Sequence, residues 1–207
     1  MTRRAKYRPQ ELLAKYRAIR ATITDQEFFR SPKHKKTQEM WCAAHFAYAF
    51  DQYIDRCDIL IDDADTQTDV DFDLSVNGVC YPFQVTEVME PKRRRGDEYE
   101  IRAPGTRADD WSQGSQLGPT WVKAALEKKL LKQYAGANNL NLLVYLNFGA
   151  WQQQYIDMRN ECADASKHFG SVWLLNGNAM CCIQPSPSLK SFEGWMAIPE
   201  SAARVEP

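Results

Sequence analysis

"DVDFDLSVNGVCYPFQVTEV", residues 69–88, decides how the chain folds. Asp69, Asp71 and Asp73 alternate with Val70, Phe72 and Leu74, and Asn77-Gly78 separates this run from a second, more apolar one. Strict alternation marks a strand with one buried face, because successive side chains point to opposite sides of a sheet. Asn-Gly between two such runs is the strongest short signal for a two-residue hairpin turn, since both positions accept positive φ. The stretch therefore predicts a hairpin with strands at 69–76 and 80–88. Tyr81, Phe83 and Val85 join the apolar face, while Gln84 and Thr86 share the other face with the three aspartates.

Before the hairpin, Met40, Ala43, Ala44, Ala47, Phe50 and Ile54 recur at helical spacing and predict a buried helix over 37–54, followed by a strand "CDILI" at 57–61. After it, residues 90–118 are rich in Gly, Pro, Ser and charge and read as a long loop. Pro119 then opens a helix with Val122, Ala125, Leu126, Leu130 and Tyr134 on its apolar face and Gly136 placed to end it. "LNLLVYLNF" at 140–148 is a nearly continuous apolar run, the pattern of a strand covered on both faces. A helix at 151–168, the strands "SVWLL" and "AMCCI" and an irregular Pro/Ser-rich tail follow. At the other end, "RPQELLAKYRAIRATI" reads as a basic amphipathic helix.

This alternation, without repeat or linker, describes a single α/β domain with a mixed central sheet flanked by helices. It divides into a basic N-terminal helix and arm (1–36), a core (37–148) and a C-terminal αββ extension (149–207). With 207 residues, 44% of them hydrophobic, the chain can bury a sizeable core. No stretch approaches the roughly 20 apolar residues of a membrane span, so a soluble, cytoplasmic protein is expected. Cys42, Cys57, Cys80, Cys162, Cys181 and Cys182 contain no C-x-x-C pair and are expected to be reduced thiols.

Charge is distributed unevenly. Residues 1–36 carry a net +8 and the remainder −9, and from Glu39 to Asp73 ten acids accompany one base, Arg56. Such polarity suits a polyanion-binding arm beside an acidic, metal-attracting site, or else an ordinary solvated N-terminus. On the hairpin, a carboxylate at a strand end facing an oxygen-bearing side chain provides the hard donors that Mg²⁺ or Mn²⁺ requires. The competing view is a solvated sheet face with alternating acids. His34, His45 and His168 have no metal-pair spacing, and no G-x-S-x-G, Walker or G-x-G-x-x-G sequence occurs.

The order helix, strand, strand, strand, helix, strand over residues 37–148 resembles the core of the restriction-endonuclease-like PD-(D/E)xK nuclease superfamily, with this chain a divergent member. The resemblance implies a metal-dependent nuclease hydrolysing DNA with Mg²⁺ or Mn²⁺. Asp73 would be the central metal ligand, Gln84 the second and Glu39 a supporting ligand or water-orienting group, with Asp71 replacing Asp73 if the register differs by one pair. Gln84 stands where the family has an acid, and Thr86 stands where it has the lysine that positions or activates the attacking water. Lys123 or Lys128, on the following helix, would then supply the amine. Glu87 is assigned by parity to the apolar face and left out of the site.

Nucleic-acid contacts are expected from Arg3, Arg4, Lys6 and Arg8 and from Lys92, Arg93, Arg94 and Arg95, with Tyr99 and Trp111 available to stack on bases. The implied partner is DNA; RNA and a homodimer stay open, and no membrane is involved. The alternative function is a noncatalytic nucleic-acid-binding or protein-interaction module on the same fold.

Overall fold

The computed structural model describes residues 4–62, 70–91, 111–132, 137–148, 154–177 and 179–199. The hairpin is present, and its turn uses Asn77 and Gly78 at φ of 51° and 82°, the left-handed values a two-residue hairpin demands. Its strands are β3 (Phe72–Val76) and β4 (Val79–Met89), in the register Phe72↔Phe83 to Val76↔Val79. β3 is thus shorter than the expected 69–76, and Asp69 lies outside the described residues. Beyond Phe83, β4 runs on without its antiparallel neighbour.

The expected strand at 57–61 is β2 (Cys57–Ile61), antiparallel to β3. A short β1 (Ala5–Tyr7), which periodicity did not announce, pairs with the far edge of β2. β5 (Asn141–Asn147) lies parallel to β4, a pairing that requires a crossover between the two strands. β6 (Ser171–Asn176) runs parallel to β5, and β7 (Ala179–Gln184) and β8 (Met196–Ala197) follow antiparallel. The eight strands form one open, mixed sheet in sequence order. The C-terminal extension therefore continues the core's own sheet.

Helices cover both faces. α1 (Pro9–Arg20) and α3 (Lys35–Tyr53) lie on one, with the short α2 (Asp25–Arg30) between them in sequence. α3 is buried along most of its length, packed between the sheet and α1, which itself also touches β1 and β2. The core beneath is aromatic: Phe46, fully buried, lies within 5.1–6.4 Å, centroid to centroid, of Phe50, Phe72, Phe83 and Trp173. His45 is packed there too, its ring 4.4 Å from that of Trp41.

The opposite face takes α4 (Trp111–Leu130) and α5 (Tyr155–Ser166) over Leu142, Val144, Val172 and Leu174. Here the sequence reading is corrected: α4 begins at Trp111 and holds Pro119 in its interior. A proline cannot donate to the carbonyl four residues back, but that carbonyl, of Ser115, accepts a bond from the Gln154 side chain instead. Residues 111–118 are thus helical, the rest of the expected loop lies largely outside the described residues, and so do Tyr134 and Gly136.

The N-terminal charge has partners within the fold. Lys6 and Arg8 reach Asp58 at 2.8 and 3.3 Å, and Arg4 is ion-paired to Asp73. The basic segment therefore pairs with part of the acidic one, as a strand laid against the sheet edge. All six cysteines are free, and all but Cys80 are buried. Among the described residues no helix is long and apolar enough to cross a membrane.

Candidate active site

The site forms where β3 stops and β4 continues. At this point β4 has β5 on one side and, among the described residues, no strand partner on the other. Asp71, just before β3, holds that edge: its backbone N–H donates to the Phe83 carbonyl (2.9 Å), and its Oδ2 accepts from the Val85 N–H (2.7 Å). A carboxylate that accepts a backbone N–H is fixed in direction at little entropic cost. Asp71 thereby lies against the Gln84-Val85-Thr86 stretch.

Glu39 approaches from the first turns of α3. Its carboxylate is flanked by Lys35 Nζ at 3.3 Å and Lys36 Nζ at 3.6 Å, and Lys36 also lies 3.5 Å from the Asp71 carbonyl. Burial raises the pKa of Glu39, the Asp71 carboxylate raises it further, and the two lysines only partly oppose this. Two acids that repel each other in a partly desolvated corner gain from a shared cation.

Gln84 faces the α4 side, 8% exposed. Its Oε1 accepts a hydrogen bond from Lys129 Nζ at 3.0 Å. Burial and then repulsion by Lys132 pull the Lys129 ammonium down to about 8, while Asp71 and Glu39 act to hold its proton. Gln84 and Lys129 are thus paired on the α4 side, and Asp71, at the strand edge, is felt electrostatically both by Lys129 and by Glu39, which approaches from the α3 side.

Lys129 was not among the lysines expected from sequence. Lys123 is bound to Glu161 of α5 at 3.0 Å, and Lys128 is exposed. The signal was present in helical phase: Lys129 stands three residues after Leu126 and seven after Val122, on the stripe that faces the sheet. A lysine on an apolar stripe needs a polar partner below it, and Gln84 is that partner.

The remaining expected residues are placed as follows. Asp73 lies opposite Pro82, one strand pair away from Gln84, in an ion pair with Arg4. Thr86 lines a cavity of about 370 Å³ between β4 and α4, together with Lys128, Lys129 and Lys132. Glu87 accepts from Asn147 Nδ2 at 2.7 Å and lines both this cavity and another of about 150 Å³ that contains Glu39. Arg3, Lys92, Arg93, Arg94, Arg95 and Tyr99 lie outside the described residues.

The donors that could hold a metal ion are the carboxylates of Glu39 and Asp71 and the amide oxygen of Gln84. All three are hard oxygen ligands. Among the described residues no group of three or more His, Cys, Asp or Glu converges, so a site here depends on the amide. The chain matches no protein-family model, no curated protein and no solved structure.

Proposed function

We propose that the chain is a divergent restriction-endonuclease-like enzyme that hydrolyses phosphodiester bonds of DNA with Mg²⁺ or Mn²⁺. The observation that carries this reading is the Lys129–Gln84 contact, with Asp71 and Glu39 close enough to act on the lysine's charge. It supplies, from the helix after the third core strand, the amine that Thr86 cannot provide. Support also comes from the order α3-β2-β3-β4-α4-β5, with α3 and α4 on opposite sides of the sheet.

Glu39, Asp71 and Gln84 would hold the cation, the Asp71 carboxylate being oriented by the Val85 N–H. Bound there, the ion would supply an activated water and offset charge on the phosphodiester. Lys129, protonated at neutral pH, donates into the site; it would orient the attacking water and stabilise the negative charge that grows on the phosphorus oxygens. Lys35 and Lys36 limit the repulsion between the two acids while the site is formed.

The test is incubation of the purified chain with single-stranded and duplex DNA, with Mg²⁺, Mn²⁺ or EDTA. Cleavage that requires the metal and drops at least about a hundredfold in Lys129→Met is expected, the usual scale for losing one preorganised donor to a transition state. DNA binding with no cleavage under any of these conditions would leave the noncatalytic module as the function.

A further inference from the structure

The cavity over Thr86 differs from the basic N-terminal strand. Its walls are the end of β4 (Thr86, Val88, Met89) and the second half of α4, where Trp121, Lys128, Lys129 and Lys132 follow one another along the helix and just past its end. Arg4, Lys6 and Arg8 of the N-terminal strand are each ion-paired, to Asp73 or Asp58. Lys128 and Lys132, among the described residues, have no carboxylate in salt-bridge range. Glu87 is the acid that lines the cavity, and its Oε1 is held by Asn147. Among the described lining residues, Lys128 and Lys132 therefore leave the groove more positive than Glu87 can offset.

The groove is also partly aromatic. At about 370 Å³ it has room for part of one strand. Trp121 is half-buried, with its ring edge-on to Phe148 at 5.3 Å. A positive track combined with an aromatic platform is the combination that holds unpaired nucleic acid, because every base has a face to stack.

We propose that this groove is the track for one unpaired strand of nucleic acid, with Lys128 and Lys132 on its phosphates and Trp121 under a base, delivering the backbone to the Lys129 end. This rests on the proposed site for its chemistry, but binding is testable without cleavage.

The experiment is fluorescence anisotropy in EDTA, with a labelled oligothymidylate and a labelled duplex, over a range of salt concentrations. The single strand should bind at least about tenfold more tightly than the duplex. Lys128→Ala/Lys132→Ala should flatten the salt slope by about 1.4, since each single-strand phosphate contact contributes about 0.7. Trp121→Ala should weaken binding by about tenfold or more, and Trp121→Phe should restore most of it. Lys6→Ala/Arg8→Ala should leave the slope unchanged. Equal affinity for duplex, an unchanged slope in the Lys128/Lys132 variant, or a slope lost only in the Lys6/Arg8 variant would each overturn the inference. Because EDTA suppresses cleavage, failure of the nuclease reading and failure of the groove are observed separately.

Discussion

Lys129 carries a cost that can be measured by itself. Burial pulls its ammonium from the ordinary 10.5 down to about 8. That difference corresponds to about 3 kcal/mol of charging cost in the folded state, and the water that still reaches the amine screens it to about 1–2 kcal/mol. Below pH 8 both folded and unfolded chains hold the proton and the folded one bears the full cost; between 8 and 10.5 the folded chain releases it first, and stability rises with pH. Lys129→Met removes the charge but leaves Gln84 Oε1 without its donor, which costs about 1–3 kcal/mol at every pH. Comparing two pH values cancels that second contribution. Urea unfolding of both proteins at about pH 7 and about pH 10 should find the variant about 1–2 kcal/mol better, relative to wild type, at the lower pH. Equal differences at the two pH values would refute the desolvated ammonium.

Two further outcomes follow from the same geometry. Glu39 has its pKa raised above 4.5 by burial and by Asp71, so wild type loses stability as pH rises from about 4.5 through the folded value; Glu39→Gln should be more stable at neutral pH, with a flatter profile by thermal unfolding, and inactive. Phe46 joins α3 to β3, β4 and β6 through the aromatic cluster, and Phe46→Ala should lose about 3–5 kcal/mol in urea titration.

The hairpin was legible because Asn77-Gly78 and the alternation on either side agree, and "CDILI" and "LNLLVYLNF" because their burial patterns are local. α4 was read as starting too late, because a proline usually sits in a helix's first turn; Gln154, which satisfies the Ser115 carbonyl, is far away in sequence. The charge asymmetry was visible, but its partial resolution in Asp58 and Asp73 depends on β1 pairing with β2, a contact that no local pattern encodes. The column of aspartates divides in the same way. Asp73 stays within the paired ladder and takes Arg4, whereas Asp71 falls where β3 ends and meets the open edge of β4. Strand parity put both on one face; only the point where pairing stops separates their surroundings.

That separation gives the most direct test of the account. Mn²⁺-dependent cleavage of DNA should be abolished by Asp71→Asn and retained, within about tenfold, by Asp73→Asn, because Asp71 is the acid whose charge acts on both Glu39 and Lys129, whereas Asp73 is ion-paired to Arg4. Cleavage that survives Asp71→Asn but disappears in Asp73→Asn would contradict it.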